Sequence, residues 1–168
     1  MCEEHSPYSP SHQSRVKGEL PYRRMDISTI ERVISECSQN GLKEIIPSTM
    51  GEPLIFKHMP RIIELCHEYD VKLNLTTNGT FPRLGAERWA RLIVPIGSDV
   101  KLSWNGANQI AQSLVMINND FEKNMDDLRT FIRIRDEHAD LGGNYCSVTL
   151  QMTFMEMNLQ QIPRVIEL

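Results

Sequence analysis

Three β-prone segments start near Lys43, Lys72 and Val100, a spacing of roughly 28 residues, and a helical stretch follows each of them. That recurrence narrows the fold to βα units, whose strands pair in parallel because each connection crosses over through a helix. The first helix is expected to carry Ile27, Ile30, Val33, Ile34 and Cys37 on one face, with Asp26 or Ser28 as its cap and Gly41 as its stop. Strands are predicted over residues 43–47, 72–76, 100–104 and 146–155. Helices are predicted on the stripe Met59, Ile62, Ile63, Leu65 and Cys66, over 86–93, over 124–138 with Leu128, Phe131 and Ile132 in register, and from Asn158 or Leu159 onward. Residues 1–24, rich in Ser and Pro and without a period, read as a loop or arm, and 25–168 as the domain proper.

The strands themselves alternate. Asn74, Thr76 and Asn78 share one face of the second, Lys101, Ser103 and Asn105 one face of the third, and Thr149, Gln151 and Thr153 one face of the fourth. A parallel sheet covered by helices on both sides should instead be continuously apolar. The polar faces are therefore expected to line a wet or ligand-filled interior, around which the strands curve as an arc of barrel; the alternative is an open sheet with one solvated face. With 168 residues the chain is shorter than the roughly 250 of a complete eight-unit barrel, so a missing portion is expected.

Composition removes several classes of function. A net charge of −4 with 24% charged residues is too acidic for a dedicated nucleic-acid binder. No apolar run approaches the roughly 18 residues of a membrane span, and Glu3, Glu4 and His5 stand where a signal peptide needs an apolar core, so a cytoplasmic protein is expected. Cys2, Cys37, Cys66 and Cys146 are too scattered for a zinc ribbon or a disulfide framework. Cys37, Cys66 and Cys146 are read as small hydrophobes, and the five histidines as surface or loop residues.

The strongest local feature is Ser48-Thr49-Met50-Gly51-Glu52-Pro53, between a strand and a helix, where parallel α/β folds place their ligands. Gly51 permits a tight turn, Pro53 fixes the exit, and Glu52 is left as a carboxylate at the mouth. Such a carboxylate serves either an ammonium ligand or the cap of the following helix.

Gly51-Glu52-Pro53, then residues 73–80 (LNLTTNGT), then residues 102–106 (LSWNG), resemble the strand-end series of the radical S-adenosylmethionine (SAM) superfamily. The resemblance implies a partial (β/α)6 barrel with its first and last units missing. It implies a [4Fe-4S] cluster held by a CxxxCxxC loop, of which Met1-Cys2 would be the end and Cys2 the third ligand. It further implies that SAM is cleaved reductively to a 5′-deoxyadenosyl radical that abstracts hydrogen from a substrate, with a flavodoxin or ferredoxin as reductant. By the same analogy Gly51, Glu52 and Pro53 form the ammonium clamp, with Asn78 at the cavity mouth. Ser103 and Asn105 lie near the ribose, and Gln151 and Thr153 face the cofactor. Met50 stands where members often have a second Gly, and Asn105 where an Asp is frequent. With two cluster cysteines absent, the chain alone is expected to be inactive. The competing readings are a non-catalytic barrel-type ligand or nucleotide-binding module and an ordinary metal-independent barrel enzyme; the latter lacks an acid/base constellation at the visible strand ends.

Overall fold

In a computed structural model of the chain, residues 8–21, 24–47 and 51–168 are described. Their elements run in the order α1 (Pro10–Val16), α2 (Ile27–Gln39), β1 (Glu44–Ile45), α3 (Met59–Glu68), β2 (Lys72–Thr77), α4 (Gly85–Ile93), β3 (Gly97–Ser103), α5 (Gln109–Ser113), α6 (Phe121–Asp140), β4 (Ser147–Gln151) and α7 (Ile162–Ile166). The described strands form one sheet in the order β1-β2-β3-β4, with every neighbouring pair parallel. Sequential order in a parallel sheet is the arrangement that repeated same-handed crossovers generate, and it fits an arc of barrel.

The alternation read from the sequence is what positions the helices. Leu73, Leu75, Val100 and Leu102 are fully buried on one face of the sheet, each worth about 1.5–3 kcal/mol relative to exposure. Against that face pack Ile62, Ile63 and Cys66 of α3, Trp89, Ala90 and Ile93 of α4, and Leu128, Phe131 and Ile134 of α6. Phe81 stacks on Phe131 with ring centroids 5.6 Å apart, and the Trp89 indole N–H is satisfied by the Pro82 carbonyl at 2.7 Å. On the other face Asn74, Thr76, Lys101 and Ser103 remain partly exposed, and Thr149 and Gln151 exposed. Among the described residues no helix is long and apolar enough to cross a membrane.

Several sequence expectations are corrected. The arm holds a seven-residue helix, α1, which starts at Pro10 and is capped by the Ser9 hydroxyl accepting from His12 N–H. β3 begins three residues before Val100, because the register against β2 shifts between Leu73 and Asn74, which pair with Gly97 and Asp99. β4 closes at Gln151 rather than continuing to Met155. α5 was not visible in the sequence, since five residues carry too little period to register. Cys37 and Val33 are exposed, at the edge of an α2 stripe whose buried member is Ile34.

At the opposite edge of the sheet from the strand-end motifs, Asn144 donates to Gly97 O at 2.7 Å and Val94 O at 3.0 Å and accepts from Lys72 Nζ at 2.8 Å. This holds the starts of β2, β3 and β4 so close that a Cβ on Gly97 would lie 2.6 Å from Cys146 Sγ and 3.0 Å from Ile93 O. Gly97→Ala is therefore expected to cost about 1–3 kcal/mol. In urea melts the midpoint should fall with the slope unchanged; an unaltered midpoint would show that the junction has slack.

Candidate active site

The carboxyl ends of the four strands gather the motif residues along one edge. Glu52 follows β1 and enters a short 3-10 turn, Pro53–Ile55, whose first position Pro53 occupies. Its Oε1 accepts from Leu54 N–H at 3.0 Å and from the Thr77 hydroxyl at 2.9 Å, and its Oε2 accepts from Asn78 N–H at 2.7 Å. The capping role is thus real, and the same side chain also ties the β1 exit to the β2 exit. Burial pushes the Glu52 carboxyl above the ordinary Glu value, outweighing the bonds from Asn78, Leu54 and Thr77 that pull the other way. Two carboxylate oxygens offer about four lone-pair positions, so three internal donors leave room for one more.

Asn78 turns the β2 exit. Its Oδ1 accepts from Thr80 N–H at 3.0 Å and the Thr80 hydroxyl at 2.7 Å, an Asx-type turn. Gly79 follows with φ +77°, a backbone that an L side chain adopts with strain. Gly51, φ +82°, is exposed just ahead of Glu52.

Ser103 ends β3 in register with Gln151, the last residue of β4. The Trp104 N–H reaches Gln151 O at 2.8 Å and extends the pairing by one bond. Ser103 is partly exposed, and Gln151 and Thr153 are exposed along the same edge. Asn105 departs from the pattern: β3 has ended, strict alternation no longer applies, and Trp104 and Asn105 are both buried in succession. Asn105 N–H donates to Gln112 Oε1 at 2.7 Å, and Asn105 Oδ1 accepts from Thr153 N–H at 2.9 Å. That oxygen is already engaged within the protein. The sequence marks Thr77 only as part of the residue 73–80 motif, Asn158 only as a helix start and Gln112 not at all; no periodicity marks polar groups that bond behind a site.

The chain matches the radical SAM superfamily over residues 2–168. It belongs to that superfamily. Among solved structures, Streptococcus suis SuiB aligns with a TM-score of 0.64 at 14% identity, covering 86% of this chain and 31% of SuiB. SuiB bound to S-adenosylmethionine aligns with a TM-score of 0.65, again at 14% identity, over 88% of this chain and 32% of that one. Archaeal TYW1 aligns over 96% of this chain and 53% of its own, at 12% identity and a TM-score of 0.47. The chain thus spans about a third of the length of SuiB. No curated protein matches it. The SuiB likeness supports the fold, an α/β core with a parallel sheet.

The cofactors of the radical SAM superfamily are SAM and a [4Fe-4S] cluster. SAM suits the donor set of the edge: a half-buried carboxylate with an acceptor position left for an ammonium, and hydroxyl and amide groups for a ribose. The cluster requires thiolates, and Cys2 lies outside the described residues, as do residues 48–50. Among the described residues no group of three or more His, Cys, Asp or Glu side chains could hold a metal ion. Cys66 and Cys146 are buried in the hydrophobic core, and burial pushes their thiols up to about 12 and about 11 respectively.

The Glu52 shift has a sign that can be checked. An acid whose pKa is higher folded than unfolded binds its proton more tightly in the fold, so ionisation costs stability as pH rises from the unfolded value through the folded one. Relative to Glu52→Gln, wild type should lose unfolding free energy between pH 4 and pH 7 in urea titrations. A gain over that range would mean that the three donors outweigh burial.

Proposed function

We propose that this chain is part of a radical SAM enzyme and supplies the edge that binds and orients SAM for hydrogen abstraction from a substrate. When bound, SAM and the cluster supply the one-electron chemistry. The protein's own residues bind and orient. Glu52 takes the SAM ammonium on its remaining acceptor position, with Gly51 and Pro53 setting the approach and exit of its turn. Asn78 shapes the mouth beside it. Ser103, Gln151 and Thr153 face the ribose from the β3 and β4 ends, and Asn105 supports them from behind.

The observation that carries this reading is the Glu52 carboxylate. It sits at the strand-end turn of a superfamily core, partly desolvated, with its orientation set by one donor from its own turn and two from the end of β2. A cation arriving there meets a preorganised charge with little reorganisation to complete. Cys2 is the proposed cluster ligand by analogy with the superfamily motif. We further propose a cytoplasmic setting with a flavodoxin or ferredoxin as electron donor; the free thiols at Cys37, Cys66 and Cys146 are compatible with a reducing compartment.

Removing one charge-assisted hydrogen bond costs about 1.5–3 kcal/mol, roughly ten- to a hundred-fold in affinity. Calorimetric titration of SAM should show a loss of that size in Glu52→Ala and a smaller one in the isosteric, uncharged Glu52→Gln. Equal SAM affinity in all three proteins would overturn the clamp.

A further inference from the structure

Behind the SAM edge, side-chain amides connect the segment after β3 to the segment after β4. Asn158 is fully buried. Its Oδ1 accepts from Met155 N–H at 2.8 Å, and its Nδ2 donates to Thr153 O at 2.9 Å and to Asn105 O at 3.2 Å. Asn105 Oδ1 in turn accepts from Thr153 N–H, so both backbone groups of Thr153 are held, the N–H by Asn105 and the carbonyl by Asn158. Gln112, also fully buried, accepts from Asn105 N–H.

The position of these bonds matters because the sheet cannot do their work. The ladder between β3 and β4 ends with Ser103 and Gln151, and one further bond follows at Trp104. Past that point Thr153 has no strand partner, and its place relative to Ser103 depends on the two asparagines. The segment on the β3 side has little slack: a Cβ on Gly106 would lie 2.6 Å from Ala111 Cβ and 2.7 Å from the Gln112 backbone nitrogen. Displacement at Asn158 is therefore passed to Thr153 rather than absorbed by the β3 loop.

The site also accounts for the residue type. Two donors and one acceptor must come from one short side chain, and a primary amide provides them. Asp in its place would lose both donors and set a carboxylate against the carbonyls of Thr153 and Asn105. A truncated side chain would leave the part-buried Met155 N–H and the Thr153 and Asn105 carbonyls without that partner, at a cost that is greatest for the buried Asn105 carbonyl.

We propose that Asn158 is a positioning residue for the ribose-facing wall of the SAM site, acting directly on Thr153 and together with Asn105 to fix Thr153 beyond the end of the β3–β4 ladder. This rests on the SAM-binding reading above. It concerns a residue that meets no ligand itself, and it assigns the β3 and β4 loops to one unit rather than two.

The test compares the full chain with Asn158→Ala and Asn158→Asp by hydrogen exchange and SAM calorimetry. Peptides spanning residues 103–107 and 151–156 should exchange at least about tenfold faster in both variants, while peptides of α3 and β2 keep their protection. SAM affinity should fall about tenfold or more. At saturating SAM, peptides around residues 52–54 and 77–80 should still gain protection, a selective pattern that general loss of stability would not produce. Asp should be at least as damaging as Ala. Asn105→Ala, which removes only the side-chain bond to Thr153, should give the same pattern in weaker form even if both Asn158 variants fail to fold. Retained protection in the two segments, or wild-type SAM affinity in a folded Asn158 or Asn105 variant, would overturn the proposal while leaving the Glu52 reading intact. A wild-type chain that binds no SAM would overturn both.

Discussion

A carboxylate that is half removed from water must be held, and the way Glu52 is held organises the candidate site. Its two oxygens collect a backbone N–H from its own turn and a hydroxyl and a backbone N–H from the end of β2. The exits of β1 and β2 are thereby fixed to each other by a charge rather than by the sheet, which matters because β1 pairs with β2 through only two residues. Burial of the same charge raises its cost, so the group is restrained in place and receptive to a cation. The structural tie and the proposed ligand clamp would be two uses of one carboxylate.

The polar face of the sheet follows a related logic further from the edge. Glu44 accepts from Ser98 and Asn74, Asn74 accepts from Lys101 Nζ at 2.9 Å, and Thr149 donates to Asp99 at 3.0 Å. These bonds run from β1 to β2 to β3 and from β3 to β4, so charged groups, hydroxyls and amides satisfy one another across the strands. The shift in register near Ser98 brings Ser98 and Asp99 into this network together. Polar groups thus hold the sheet from its open side, while Leu73, Leu75, Val100 and Leu102 hold it from the helix side. The strand ends, beyond this ladder, depend on Glu52 at one side and on Asn105 with Asn158 at the other.

Much of this was legible in the sequence because it rests on period. The repeat of strand and helix, the apolar stripes of α3, α4 and α6, and the alternation of β2 and β3 all follow from side-chain geometry that recurs every two or three to four residues. Glu52 was legible too, as a carboxylate at a strand-end turn flanked by Gly51 and Pro53, although its bonds to Thr77 and Asn78 join positions 25 and 26 residues away. What escaped has no period. α1 and α5 are set by single caps, Ser9 and Asn108, over seven and five residues. The β3 alternation places Asn105 on the polar face only if β3 runs past Ser103, and the sequence offers Asn158 as a helix start because nothing in a connecting segment marks a buried amide that bonds across loops. Long-range hydrogen bonds among amides are a property of the assembled fold.

The central claim is that SAM lies along the carboxyl edge of this sheet, with its ammonium at Glu52 and its ribose toward Ser103 and Gln151. A crystal structure of the chain grown with SAM tests it most directly. The account predicts the ammonium within hydrogen-bonding distance of the Glu52 carboxylate, which keeps its bonds to Leu54, Thr77 and Asn78, and the ribose beside Ser103 and Gln151. SAM bound elsewhere, or at this edge with its ammonium turned away from Glu52, would contradict it.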